Sequence, residues 1–392
     1  MSGKGRARVV ALAVVVSALV VVGCERPVAR KRPHGQPSPP DTSPPALIAA
    51  TSELKRTIVV PTLDTPIPEG KSAIWCSSFQ LAWNSFERTF IQGPVKLQHA
   101  EEVAGRLNKA PESEADLDPA DYLIAAGSVK DVLATIEREL PWRFPGSQMP
   151  KIDAPSEGLI AFALLKAGVR YTYDFKDNPQ ALFFTDSSGH KTAIRSFGLL
   201  PMPAGEKDDS DAPFARRLVQ LLYAPGDWHH PSEFAVDLCR ESQPYQVVAA
   251  RIDRKETLAA TLADLEAKIK RSPVSADYSL LEDELLVPNM SWRLAHHFRE
   301  LEGPDKIILN GSVTGLYMAG AWQEIEFKLD RHGAEVFSSG YVLAMDGGPK
   351  ELYFNRPFLI YLKKRGAERP FFVVWVDNAE LMQEFQLPAA KK

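Results

Sequence analysis

The C-terminal end of the chain is its strongest constraint. "RPFLIYLKK" and "RPFFVVWVD" are two apolar runs joined by Arg365-Gly366-Ala367-Glu368. Their lengths and β-branched and aromatic content suit strands, and the four residues between them suit a turn. Their near-continuous apolar character predicts a buried hairpin, which other layers must cover. With 392 residues, 45% of them hydrophobic, the chain can supply a core of that size.

The order of the remaining elements sets the class. "KRTIVVPTL" reads as a short strand. "SAIWCSSFQLAWNSFERTFIQ" begins as a strand and then takes helical spacing, with Phe79, Trp83 and Phe86 on one face. Ser77 and Ser78 suit the start of that helix. Helical patterns are expected over 97–107 and 118–140. The texture changes after Pro150. "GLIAFALLKAGVRYTYDF" is a long apolar run followed by alternation. "QALFFTDSSGHKTAIRSFGLLP" reads as a hairpin turning at Ser188-Gly189, and "RRLVQLLYAPG" and "EFAVDLCRES" read as strands. "KETLAATLADLEAKIKRS" is an amphipathic helix, whereas "EDELLVPNMSW" and "QEIEFKLD" return to strand. Early helices and later strands predict an α+β domain with large, mostly antiparallel sheets.

The N-terminus stands apart. Lys4, Arg6 and Arg8 precede an uncharged run from Val9 to Val22, the charge-then-apolar order of an export signal. The run is short for a spanning helix, which needs about 20 residues. It ends in Val21-Val22-Gly23-Cys24, which resembles a bacterial lipobox and implies lipidation at Cys24. Residues 1–23 are then a lipoprotein signal peptide. "ERPVARKRPHGQPSPPDTSPP" has almost nothing to bury, so 24–55 is expected to be a disordered, proline-rich tether, with the folded domain spanning 56–385. The mature protein is expected outside the cytoplasm, membrane-anchored through Cys24 or extracellular or periplasmic. Cys76 and Cys239 both sit in apolar settings, where buried free thiols are expected and a disulfide pair is the alternative.

Conventional active-site chemistry finds little support. The histidine pairs His229-His230 and His296-His297 are adjacent, not one helical turn apart, so no metal site is read from them and solvated or capping roles are expected. Asp208, Asp209 and Asp211 lack the spacing and glycine of a calcium loop. There is neither a phosphate-cradling glycine loop with its lysine nor a glycine-flanked serine nucleophile. A net charge of −4 gives no basic bias toward nucleic acid. No enzyme activity, cofactor or metal is expected.

The stretch "DRHGAEVFSSGYVLAMDGGPKELYFNRPFLIYL", Asp330 to Leu362, has strand character at both ends. Its middle starts in period two and dissolves into Asp346-Gly347-Gly348-Pro349. Ala334, Val336, Ser338, Gly340 and Val342 form one alternating set, uncharged and of small or modest size. Glu335, Phe337, Ser339, Tyr341 and Leu343 form the other. Such a strand could enter a sheet with the first set inward and bury no charge. It could equally be a permanent strand, or an inert hairpin turning at Gly347-Gly348.

The order of these pieces resembles the serpins. "SAIWCSSFQLAWNSF" looks like the serpin strand that runs into a buried helix. "AFALLKAGVRYTYDF" is similar to the long central strand of the main sheet, with Tyr171 where that family usually has tryptophan. "DSSGHKTAIRSFGLLP" and "QEIEFKLDRHGAEV" resemble the hairpin after it and the strand into the reactive loop. "LYFNRPFLIYLKKRGAERPFFVVWVDNA" is the closest match. The resemblance implies a serpin-like fold in which the segment after Asp330 is protease bait. After cleavage, its front half would insert into a strained main sheet that has room for another strand. Its hinge would be Gly333, Ala334, Glu335, Val336, Phe337, Ser338, Ser339 and Gly340. The scissile bond would fall among Met345, Asp346, Gly347 and Gly348. The implied partner is a serine or cysteine endopeptidase, and the chain itself is expected to be a monomer. The alternative is a non-inhibitory serpin-fold surface lipoprotein that binds a partner or has a structural role.

Overall fold

The computed structural model describes residues 47–110, 116–145, 158–168, 171, 174–200, 216–225, 229–275, 278, 280, 283–332 and 350–386. They form an α+β fold of mixed, mostly antiparallel sheets. The main sheet runs, in spatial order, β1 (Leu47–Ala50), β14 (Met290–His297), β15 (Met318–Leu329), β5 (Leu159–Gly168) and β4 (Tyr122–Ser128). A seven-stranded sheet runs β10 (Gln220–Tyr223), β11 (Phe234–Asp237), β12 (Tyr245–Arg251), β17 (Phe358–Lys364), β18 (Phe372–Val376), β3 (Ser72–Cys76) and β2 (Thr57–Val59). A four-stranded sheet runs β16 (Glu351–Tyr353), β13 (Glu284–Pro288), β9 (Ser196–Leu199) and β6 (Lys176–Asp177). β7 (Leu182–Thr185) and β8 (Lys191–Ile194) form a separate hairpin, turning where Ser188-Gly189 was expected to turn it.

The apolar C-terminal runs are explained by what covers them. On β17 and β18, Phe358, Ile360, Leu362, Phe372, Val374 and Val376 face the central core. Leu359, Tyr361, Val373 and Trp375 face the opposite way, against Leu258, Leu262 and Leu265 of a helix, α4 (Leu258–Arg271). Both faces of the hairpin are therefore dry, and period two disappears from its sequence. The central core also takes the predicted face of α1 (Ser77–Phe86): Phe79, Trp83 and Phe86 are all fully buried. Trp292, Phe327 and Phe372 join the main sheet to the seven-stranded one, with ring centroids 4.9–6.2 Å apart.

Two of the expected elements differ. Helix over 97–107 is confined to α2 (Glu101–Leu107). Within 118–140, Tyr122–Ser128 is strand β4, and the helix, α3 (Val129–Arg143), starts only after it. β4 pairs with β5 along its whole length, and a neighbouring strand overrides helix propensity in a short apolar run. Ser128 then caps α3, its hydroxyl oxygen accepting from Asp131 N–H at 3.2 Å. α3 lays Val132, Ile136 and Leu140 on the outer face of the main sheet, over Leu123, Ile160, Phe162, Leu164 and Trp322.

Among the described residues, Leu47–Ala50 is already paired, ahead of the expected domain start at 56. β1 runs parallel to β14, and the next residues lead to β2 at the edge of the other large sheet. On the way, the Lys55 and Arg56 amides donate to the Glu380 carboxylate at 2.7 and 2.9 Å. Cys76 and Cys239 are buried and not joined in a disulfide, and burial pushes the Cys76 thiol up to about 11.

Candidate functional site

The candidate site is the pair of stems from which residues 333–349 spring. The expected hinge, Gly333–Gly340, and the expected scissile region, Met345–Gly348, lie outside the described residues, as does Cys24.

The proximal stem is the end of β15. Asp330 is buried; its Oδ1 accepts from His332 N–H at 2.9 Å, and its Oδ2 lies 2.9 Å from Lys328 Nζ. Arg331 O accepts from Phe175 N–H at 3.0 Å, and Arg331 Nε is 3.2 Å from Asp177 on β6. His332 accepts from Arg331 on Nε2 and faces Asp174 Oδ2 through Nδ1, at 3.1 Å. Nearby, Tyr171 and Phe175 meet edge-on at 5.1 Å, and Phe197 of β9 lies 5.5 Å from Phe175. Burial holds the Tyr171 phenol well above its ordinary range, so it stays neutral.

The distal stem is Lys350 and β16. β16 pairs in parallel with β13, and β6 lies at the other edge of the same sheet. Three strand spacings, about 15 Å, separate the strands to which the two stems are tied. β15 and β16 belong to different sheets and do not pair with each other.

Next to the proximal stem lies one of the two parallel junctions described in the main sheet. β15 and β5 are parallel neighbours, paired from Gly320↔Ile160 to Lys328↔Gly168. A chain leaving the end of β15 and turning back would run antiparallel to β15, and so to β5 as well. Inserting it would replace one parallel ladder by two antiparallel ones, which are slightly more stable per residue. The core-facing residues at this junction are Ala161, Ala163, Leu165, Ala321, Gln323, Ile325 and Phe327. Gln323 ties the junction to the core: its Nε2 donates to Cys76 O at 3.2 Å and to Ser78 Oγ at 3.0 Å. The two strands are directly paired, so the room implied for an incoming strand is closed. Insertion would have to part them.

The histidine pairs are not simply solvated. His230 lies 3.2 Å from Glu351 on the distal stem. His297 contacts Glu302 at 3.1 Å and stands edge-on to Trp322. His296 is wedged between Thr51, whose hydroxyl is 2.6 Å from its Nδ1, and the Phe298 ring. Burial pushes its pKa down to about 4; His297 and Arg299 act in the same direction and Glu302 opposes them. Folded His296 therefore stays neutral while the unfolded ring titrates near 6.5. Above that pH the site contributes no pH dependence. As pH falls from 6.5 toward 4, the unfolded chain takes up a proton that the folded chain refuses, and stability drops by up to about 3 kcal/mol. Urea unfolding of wild type and His296→Gln at pH 7 and pH 4.5 should show a smaller pH loss in the variant. Equal losses would remove His296 as the cause.

Among the described residues, no three His, Cys, Asp or Glu side chains are grouped to hold a metal ion. Among the same residues, no helix is long and apolar enough to cross a membrane.

No protein-family model matches the chain, and no curated protein does. Solved structures do. Solved structures similar to this chain include serpins. The thermophilic serpin tengpin in its native state is 12% identical, with a TM-score of 0.46 over 84% of this chain and 99% of its own. Serpin48 of the insect Tenebrio molitor is 14% identical, with a TM-score of 0.41 over 77% and 98%. Protease nexin-1 with heparin is 11% identical, with a TM-score of 0.40 over 63% and 66%.

Proposed function

We propose that this chain is a serpin-like inhibitor of serine or cysteine endopeptidases, with residues 333–349 as bait. The observation that carries the reading is the parallel β15–β5 pair, beside which the bait segment leaves the sheet. A protease that cuts the segment forms an acyl-enzyme on its front half. That half, released from the distal stem, turns back between β15 and β5 and carries the enzyme with it. Strain relief in the host drives the movement; the catalytic groups belong to the target. The uncharged set Ala334, Val336, Ser338, Gly340 and Val342 would face the core, and the bond cut would lie among Met345–Gly348. We place the protein outside the cytoplasm as a monomer, held to a membrane through a lipid on Cys24, with the basic, apolar N-terminal order as support.

The continuous ten-residue run of β5 in contact with β15 favours a second reading, a non-inhibitory surface lipoprotein of the same fold. The two are separated by incubating the purified protein with a broad panel of serine and cysteine endopeptidases. The inhibitor forms an adduct that survives boiling in SDS with at least one of them and leaves that enzyme inactive. Cleavage without any adduct across the panel would overturn the inhibitor reading.

A further inference from the structure

β1 is a short strand with a weak hold on the body. It has four residues and lies at the edge of the main sheet, paired with β14. Leu47 and Ile48 are 40% and 75% exposed, and Ala49 is its contribution to the central core. An edge strand so short and so exposed needs a further tie. Thr51, which opens the turn after β1 (Thr51–Glu53), supplies one: its hydroxyl lies 2.6 Å from His296 Nδ1 on β14. Beyond that turn the chain is fixed again, where the Lys55 and Arg56 amides donate to Glu380. The segment Leu47–Leu54 therefore lies between a sheet edge and a firm clamp, with His296 as its side-chain tie.

The His296 ring sits where a charge is unwelcome. Its Nε2 is buried, and among the described residues nothing bonds to it. In either neutral tautomer that atom is already unmet, and a second proton would leave a charged N–H without an acceptor. The groups around the ring add to the cost. On β14 itself the next residue is His297, and the loop after it brings Arg299 and the Phe298 ring, edge-on at 4.5 Å. Glu302 opposes the two cationic groups but is engaged elsewhere. Its Oε1 lies 2.8 Å from Arg299 Nη1 and 3.1 Å from His297 Nδ1, and its Oε2 accepts from Ala321 N–H at 2.9 Å. Across the ladder β15 presents Gln323, which is neutral. From the β1 side come neutral Thr51 and Glu53, which is exposed to solvent. Protonation in place is opposed. Protonation after Leu47–Leu54 has lifted away is not, because water then reaches the ring.

We propose that Thr51 and His296 form an acid-released latch: when the imidazole takes a proton, Leu47–Leu54 leaves the edge of the main sheet while the rest of the fold stays closed. The inference stands apart from the inhibitor reading and from any role of residues 333–349. At pH 7 the ring is neutral and the latch is shut. The closed ring titrates at about 4, and a hydrated one near 6.5. Opening therefore takes up a proton and becomes easier as pH falls below 6.5. Between pH 7.5 and pH 5 the opening equilibrium shifts roughly 30-fold. The Glu380 clamp stops the opening at Lys55. The eight residues released, at 3.3–3.6 Å each, give the body up to about 29 Å more chain on its N-terminal side. They also bare the edge of β14, whose backbone groups can then pair with another strand.

The test is amide hydrogen exchange of the full chain at pH 7.5 and pH 5, read by mass spectrometry, with each rate divided by its intrinsic value at that pH. Peptides covering 47–54 should lose roughly 30-fold in protection at pH 5, while those of β17 and β18 keep theirs. His296→Gln keeps a side chain that can bond Thr51 but cannot titrate, and should hold the loss below about threefold. Thr51→Val keeps the shape without the hydroxyl. It should lower the protection of 47–54 at pH 7.5, and it tests the latch even where His296→Gln fails to fold. Equal protection of 47–54 at the two pH values in wild type would overturn the latch. So would a loss in His296→Gln as large as in wild type, or a Thr51→Val variant protected like wild type at pH 7.5. Loss of protection in β17 and β18 together with 47–54 would also overturn it, since the acid response would then be global unfolding.

Discussion

One cut between Gly340 and Pro349 should raise the melting temperature of the folded region by on the order of 10 °C. In an ordinary domain, nicking an exposed loop lowers stability or leaves it alone, since it loosens the chain and adds no contact. On the inhibitor proposal, the freed front half would run back between β15 and β5, which are parallel to each other, and so lie antiparallel to both. Val336 and Val342 would then move from the loop into the core, each contributing about 1.5–3 kcal/mol. One kcal/mol moves the melting point of a domain of 150–250 residues by about 2–4 °C. This chain is longer, so its response sits toward the low end. Ten degrees is thus within reach of the two valines, provided that the new ladders offset the ordering of the inserted backbone. The insertion must also part β15 from β5 without losing Gln323, which is bonded to Cys76 and Ser78 below the junction. The check is a thermal melt of nicked and intact protein under the same buffer. A fall in melting temperature, or no change, would mean that β15 and β5 stay paired and that 333–349 is an ordinary loop. Charge adds a finer control. Val336→Glu places a carboxylate on the inward set and should abolish the rise without changing the melt of the intact protein.

Much of this architecture was legible in the residues, and the illegible parts share a cause. The dry hairpin of β17 and β18, the buried face of α1 and the Ser188-Gly189 turn follow from local pattern: period, apolarity and turn chemistry. β4 did not follow, because "DYLIAAGS" carries good helix formers and only its pairing with β5 makes it a strand. β1 was hidden for a related reason. "LIAA" follows a proline-rich stretch, and its register against Trp292–Ala295 is set by a partner more than two hundred residues away. At the candidate site, the alternating residues of 333–349 lie outside the described residues. The stems could not be read from the sequence. Arg331 meets Asp177, and Lys350 meets Tyr278 and Asp283, through long-range sheet order, which no window of sequence contains. The parallel relation of β15 to β5 was likewise invisible, since a strand's direction leaves no mark on its own residues.

A second large effect is expected at the turn between β17 and β18, where Arg365→Met should cost about 3–5 kcal/mol. Arg365 reaches back to Asp237, a fully buried carboxylate, with Nη2 at 3.1 Å from Oδ2. It also donates to the Cys239 and Ser242 carbonyls, so one side chain joins β11 and the loop after it to the C-terminal hairpin. Burial pushes the Asp237 carboxyl up, and Arg365 is the main opposing influence. Without the guanidinium, Asp237 keeps only neutral donors, Cys239 N–H and Gln246 Nε2, each at 3.1 Å. Its folded pKa then rises further above the unfolded value near 3.9. A carboxyl raised in this way binds its proton more tightly folded than unfolded, so the penalty is full at pH 7 and fades as pH falls through the folded pKa toward 4. Urea unfolding at pH 7 and pH 4.5 should therefore show the Arg365→Met deficit shrinking at the lower pH. Adding Asp237→Asn should recover much of the loss at pH 7, because a neutral amide needs no counter-charge. A deficit that is the same at both pH values, and untouched by Asp237→Asn, would assign the loss to missing packing of the arginine stem and not to a stranded charge.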